Sequence, residues 1–262
     1  MRNPVIIALD FPGKKEVEAF IDPFVKQKVD PFVKQKVDPF LKETEEQQQI
    51  WVKVGMELYY QEGPQLISFL KEKGFRIFLD LKLHDIPTTV QKAMNRIAGL
   101  GVDMVNVHAA GGTEMMKRAI EGLNSGSPGA RRPLCIAVTQ LTSTSQEMLQ
   151  SELLIKESME STVSHYAYLA KESGLDGVVC SPLEVPHMKD VCGEDFLAVT
   201  PGIRLSGDNK NDQIRTADPA GAKKLGSDFI VVGRSITGSA DPLETYMTIQ
   251  KEWGIFHETT NC

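Results

Sequence analysis

The feature that most constrains this chain is its rhythm. Short apolar, β-branched runs fall at 5–9, 50–54, 76–81, 104–107, 134–138, 177–180, 196–200 and 229–232. Most are continuously apolar, as strands covered on both faces must be. Between them lie amphipathic stretches with helical spacing, among them 64–73, 90–100, 114–123, 163–173 and 219–225. Eight strand–helix units predict an α/β chain closed into a single-domain (β/α)8, or TIM, barrel. The pattern also fits an open, doubly wound sheet. The length of 262 residues matches the roughly 250 that such a barrel needs.

Polar residues gather at the ends of these apolar runs. Asp10, Lys53, Asp80, Lys82, His108, Thr139, Ser181 and Arg234 lie at or just past the C-terminal ends of the runs. In a barrel those ends form the catalytic face. A polar residue also marks where a strand leaves the core, so each position taken singly has two readings. Their succession favours a site.

Composition narrows the partners. A formal net charge of −6 gives no sign of a nucleic-acid partner, which usually calls for a basic face. Any phosphate is therefore expected to be one small group held by local donors. Cys135, Cys180, Cys192 and Cys262 form no C-x-x-C pair and no metal-ligand cluster, which predicts reduced thiols in a cytoplasmic protein. The apolar run near the N-terminus stops at Asp10, too early for a signal-peptide core, and no run is long enough to span a membrane.

One segment breaks the rhythm. Residues 22–29 read DPFVKQKV, 30–37 repeat them letter for letter, and DPFLKE follows. A repeat of eight residues turns each copy by about 80° around a helix. Each copy also begins with Asp-Pro, which starts helices and breaks their interiors. Removing 22–37 leaves FIDPFLKE and makes the Asp10–Lys53 spacing equal to the Lys53–Asp80 spacing. The segment reads as a local duplication in the first outer helix, without chemical function.

The stretch richest in chemistry is DLKLHDIPTTV, residues 80–90. Asp80 and Lys82 are two apart on a strand, so both side chains point the same way, into the barrel. Asp85 follows in the turn before a helix that has Pro87 near its start. Lys53, ending the preceding strand, brings a second ammonium. Alternating charges at close range keep one another ionised. The same pattern fits a structural salt-bridge network.

Asp10 in LALD, KVGMEL at 53–58, FLDLKLHDIPTTV at 78–90, VNVHAAGG at 105–112, AVTQLTS at 137–143, TPGIR at 200–204 and VGRSI at 232–236 stand in this order. Together these blocks resemble the orotidine 5′-phosphate decarboxylase family in its bacterial form. The resemblance runs from about residue 4 to about residue 252, and only the octapeptide repeat departs clearly from it.

The resemblance implies a cofactor-free decarboxylation of orotidine 5′-monophosphate to uridine 5′-monophosphate, the last step of de novo pyrimidine nucleotide synthesis. It makes Lys82 the proton donor to C6 and sets Asp80 beside the substrate carboxylate. Asp85, with Ile86 and Thr89, joins the array from the other subunit of a homodimer. Lys53 and Asp10 hold the ribose, and Thr142 contacts the pyrimidine. Arg204, Gln213, Gly233 and Arg234 bind the phosphate, with the polar loop at 205–213 as a lid or an ordinary solvated loop. His108 is expected to be structural. The alternative is a metal-dependent sugar-phosphate decarboxylase or synthase of the same barrel family. Those enzymes hold magnesium partly through an acidic residue where this chain has Lys53.

Overall fold

A computed structural model describes residues 5–29, 49–205 and 216–254. Its elements alternate as the rhythm predicts. The first half runs β1 (Val5–Ala8), α1 (Lys14–Val29), β2 (Trp51–Gly55), α2 (Met56–Glu62), α3 (Pro64–Glu72), β3 (Arg76–Leu83), α4 (Pro87–Ala98), β4 (Met104–His108) and α5 (Gly112–Gly126). The second runs β5 (Leu134–Val138), α6 (Gln146–Ser151), α7 (Met159–Glu172), β6 (Gly177–Val179), α8 (Val185–Cys192) and β7 (Leu197–Thr200). It ends with α9 (Pro219–Lys224), β8 (Phe229–Val232), α10 (Arg234–Thr237) and α11 (Pro242–Glu252). The strands pair in sequence order, all parallel, and β8 closes on β1. The closed barrel decides against the open sheet that the pattern alone allowed.

The period of two along each strand builds the interior. Ile6, Trp51, Phe78, Met104, Ile136, Val199 and Phe229 point inward and form one apolar cluster, with Trp51 edge-on to Phe229 at 5.4 Å between centroids. The alternate residues, such as Val52, Ile77, Val105 and Ile230, point outward into the larger core under the helices. Two steps further along three adjacent strands, the inward positions are Lys53, Asp80 and Asn106. The barrel thus has an apolar floor and a polar layer above it.

The chain braces that floor with a thrice-repeated device. Asp103, Asp176 and Asp228 each precede an even-numbered strand. Their backbone N–H groups donate to the carbonyls of Ile77, Cys135 and Ala198. Their carboxylates accept the N–H of those same residues at 2.8, 2.7 and 2.7 Å. A cation completes each one: Lys71 at 2.9 Å, Arg132 at 2.6 Å and Lys189 at 2.8 Å. Lys189 is only 6% exposed and also donates to the carbonyls of Glu194 and Phe196. Removing one partner of a buried pair leaves an uncompensated charge. Asp228→Ala is therefore expected to cost about 3 kcal/mol and to lower the thermal midpoint by roughly 6–12 °C. Asp103→Ala should cost less, because Lys71 is 34% exposed and water screens it. Thermal denaturation of the two variants checks this; equal losses would contradict the buried-charge argument.

Helices α4 and α5 approach closely. A Cβ on Gly122 would sit 2.2 Å from the Gln91 carbonyl oxygen, and one on Gly126 2.3 Å from that of Asn95. Only glycine admits this approach, which sets α4 closely against α5.

Two features differ from the sequence-based expectation. Asp-Pro should break the helix within the first octapeptide copy, yet α1 continues through Pro23 to Val29. Ile21 and Phe24 are buried there, and Phe24 packs on Tyr246 at 5.7 Å. That burial offsets the hydrogen bond that proline cannot donate. The second copy, 30–37, lies outside the described residues. Strand β3 also runs two residues beyond the expected 76–81, for a reason found at the site.

Candidate active site

Asp10, Lys53, Asp80 and Lys82 converge at the C-terminal mouth of the barrel. Lys53 Nζ lies 3.0 Å from Asp10 Oδ1 and 3.5 Å from Asp80 Oδ2. Lys82 Nζ donates to Asp80 Oδ1 at 2.7 Å. The charges alternate along this row. Burial would push the Lys53 ammonium below its ordinary pKa, but Asp80 and Asp10 together hold it above. Burial would push the Asp80 carboxyl up, but Lys53, Lys82 and the Asn106 amide hold it below the usual carboxylate value. Lys53 and Asp80, at the centre of the row, are thus held in their charged forms around neutral pH.

The backbone that makes this geometry is irregular. Strands β3 and β4 pair at Phe78↔Met104 and Leu79↔Val105, then at Leu83↔Val107, so β3 carries two extra residues between the last two pairs. Lys82 takes φ +51°, a left-handed conformation uncommon for a residue with a side chain. The period of a regular strand predicts that Asp80 and Lys82 point the same way. They do meet, but through a bulge.

Sequence reasoning missed Asn106. It is 2% exposed, accepts the Lys82 backbone N–H through Oδ1 at 2.7 Å and donates from Nδ2 to Asp80 Oδ1 at 2.7 Å. Its signal was available: an asparagine at an inward position of an otherwise apolar strand. Gly55 was missed as well. A Cβ there would lie 3.2 Å from Lys53 Nζ and 3.6 Å from Asp10 Oδ1, so glycine leaves room for the ammonium.

The other expected residues divide. A Cβ on Gly233 would lie 3.7 Å from Asp10 Oδ2, which sets the β8 end beside the charge row. Arg234 begins α10 and is exposed. Arg204 follows β7, its N–H bonded to the Ala217 carbonyl and its guanidinium to the Ile203 carbonyl at 2.8 Å. Thr142 is half-buried in the turn after β5. Gln213 and most of the loop at 205–213 lie outside the described residues.

Asp85, Ile86 and Thr89 are exposed at the start of α4. Within its own chain Asp85 joins no lysine among the described residues; its Oδ1 accepts the Ile86 N–H at 2.6 Å. Ile86, at 67% exposure, is a large apolar side chain facing outward.

Three of the strand-end residues make contacts within the fold. Thr139 is buried and donates to the Val179 carbonyl. Ser181 is buried and caps the turn at Pro182–Glu184 in a reciprocal box with Glu184. His108 Nδ1 accepts the Ala110 N–H and its ring stacks on His84 at 5.6 Å. Burial, His84 and Lys82 all lower its pKa, so it is neutral at pH 7. Cys135, Cys180 and Cys192 are buried and in no disulfide among the described residues, and burial pushes Cys135 up to about 12.

A closed parallel barrel with alternating charges gathered at its C-terminal mouth defines a class, the (β/α)8-barrel enzymes. The chain belongs to the orotidine 5′-phosphate decarboxylase / HUMPS family, whose model matches residues 3–249. It is 56% identical over 254 residues to the orotidine 5′-phosphate decarboxylase of Bacillus cytotoxicus, covering 97% of this chain and 98% of the relative. The Bacillus cereus (strain B4264) enzyme of the same name gives the same identity and coverage. Among solved structures, one described as an uncharacterized conserved protein from Geobacillus kaustophilus matches at 52% identity and a TM-score of 0.79, covering 95% of this chain and all of that one. The orotidine 5′-phosphate decarboxylase of Lactobacillus acidophilus matches at 41% identity and a TM-score of 0.78, covering 96% of this chain and 99% of its own.

Proposed function

We propose that this protein decarboxylates orotidine 5′-monophosphate to uridine 5′-monophosphate, the last step of de novo pyrimidine nucleotide synthesis. The observation that carries the reading is the Lys53–Asp80–Lys82 row, with an ammonium on each side of one buried carboxylate.

The chemistry needs such a row. When the bond between C6 and the carboxylate breaks, the electron pair stays on C6 in an sp² orbital with no adjacent sink. Fixed charge must stabilise it, and preorganised charge is commonly what lowers an enzymatic barrier most. The Lys82 ammonium supplies the field and then donates its proton to C6 as carbon dioxide leaves. The resulting amine recovers a proton from water. Asp80 lies beside the substrate carboxylate and holds Lys82. Lys53 and Asp10 position the ribose hydroxyls, and Thr142 meets the pyrimidine. Arg204, Gln213, Gly233 and Arg234 take the phosphate, as loops after the last two strands of a barrel commonly do. Binding energy from that remote group aligns the reacting centre.

The working unit in this reading is a cytoplasmic homodimer that completes the row. Asp85, Ile86 and Thr89 face outward from one barrel and enter the site of the other. Among the described residues no helix is long and apolar enough to cross a membrane. No cofactor enters any step.

The purified protein, dialysed exhaustively against EDTA, is expected to turn over orotidine 5′-monophosphate at the undialysed rate, followed by the fall in its ultraviolet absorbance. A magnesium-dependent sugar-phosphate enzyme holds its cation partly through an acidic residue where this chain has Lys53, and an ammonium there, paired with Asp10 and Asp80, repels a cation. Activity lost on dialysis and restored by magnesium would favour that branch of the family.

A further inference from the structure

We propose that Asn106 is a positioning residue for decarboxylation: it holds the Lys82 backbone in its left-handed bulge and thereby sets the ammonium against Asp80. This rests on Lys82 being the proton donor.

The bulge creates a need. Two extra residues in β3 break its ladder with β4 between Leu79 and Leu83. The Lys82 N–H loses its place in that ladder, in a part-buried position at the barrel mouth. An unpaired buried N–H is costly. The Asn106 Oδ1 takes it at 2.7 Å, in place of a β4 carbonyl. The same amide then donates from Nδ2 to Asp80 Oδ1 at 2.7 Å, the oxygen that receives Lys82 Nζ. One planar group therefore ties the main chain of the donor to the carboxylate that orients its side chain.

The chemistry is selective. The group at 106 must accept on one side and donate on the other, with a fixed distance between. A carboxamide does both. A carboxylate of the same shape accepts from the Lys82 N–H but confronts Asp80 with a second negative oxygen, unless a proton lies between them. An alanine satisfies neither neighbour. The charged or titratable groups near Asn106 are Asp80 and Lys82 on β3, Lys53 on β2 and His108 at the end of β4; its β5 neighbour is Ile136.

Substitution should therefore act on the chemical step more than on binding, because the phosphate and ribose contacts lie elsewhere. Asn106→Asp and Asn106→Ala are expected to lower kcat at least tenfold, with the Kd for uridine 5′-monophosphate within threefold of the parent. For Asn106→Asp, kcat relative to the parent should fall further as pH rises from 6 to 9. Lower pH favours a proton shared with Asp80, and raising the pH favours two adjacent carboxylates that pull on Lys82.

A role in folding alone predicts a lower thermal midpoint and a smaller active fraction, with the parent's kcat per active site and pH profile. That result overturns the proposal. Should Asn106→Ala fail to fold, the isosteric Asn106→Asp still decides, and a kcat within twofold of the parent across the pH range overturns it. The parent protein separates the two levels of inference. If it does not turn over orotidine 5′-monophosphate, the proposed function fails. If it does and both variants match it, only the role of Asn106 fails.

Discussion

Lys82→Ala is expected to abolish decarboxylation, by about 10³-fold or more, in a protein that folds and still binds uridine 5′-monophosphate. Two effects are lost together. The variant has no ammonium to stabilise the electron pair at C6 and no proton to deliver there. A thousandfold loss is roughly 4 kcal/mol of barrier, within what a fixed charge in a water-poor site supplies. The fold should survive, because Asp80 keeps Lys53 at 3.5 Å and the Asn106 amide at 2.7 Å. Product binding should survive too, since the phosphate and ribose groups lie on other strands. Turnover above a few per cent of the parent's, measured with product binding in the same preparation, would remove Lys82 from its role.

The second large effect is a gain. Asp85→Ala and Lys82→Ala proteins, each nearly inactive alone, are expected to recover activity when mixed and allowed to exchange subunits. The exposed Asp85 bonds only its neighbour's N–H in its own chain among the described residues, and a twofold axis makes any exchange of such a residue reciprocal. In a mixed dimer one site carries both lesions. The other has Lys82 from the Asp85→Ala chain and Asp85 from the Lys82→Ala chain, so it is intact. Random 1:1 exchange should restore about a quarter of parental activity per total subunit. Confirmed exchange with no activity would mean that Asp85 serves its own chain, and the composite site would be wrong. This result is independent of Asn106, which lies wholly within one barrel.

The two experiments probe residues that were legible to different degrees. Lys82 and Asp80 stood out because a spacing of two on a strand is local, and the strand survived as β3. Asp85 stood out as a carboxylate three residues further on, in the turn before the helix, but its direction came only from the family resemblance. Whether a turn residue faces inward or outward depends on how α4 leaves the strand, and α4 packs closely on α5 at Gly122 and Gly126. Thr139 and Ser181 looked like site residues from their places at strand ends. They are instead bonded to a carbonyl and a helical turn, which a linear pattern cannot distinguish from a ligand-facing role. The floor aspartates were the reverse case. Asp103, Asp176 and Asp228 each follow a glycine by two residues, a visible repeat whose meaning appears only when the partner N–H groups and cations are in place.

By itself the sequence determined the alternation of strands and helices, the polar residues at strand ends and the chemistry that they bring. All of these follow from short-range periodicity and residue type, which need no knowledge of distant neighbours. The tertiary structure alone decided closure into a barrel, since that depends on β8 finding β1 from the far end of the chain. It alone placed two extra residues in β3 where it pairs with β4, turned Lys82 to a positive φ and brought Asn106 to its backbone N–H. Those choices are matters of register, and register is settled by contacts between strands rather than within them.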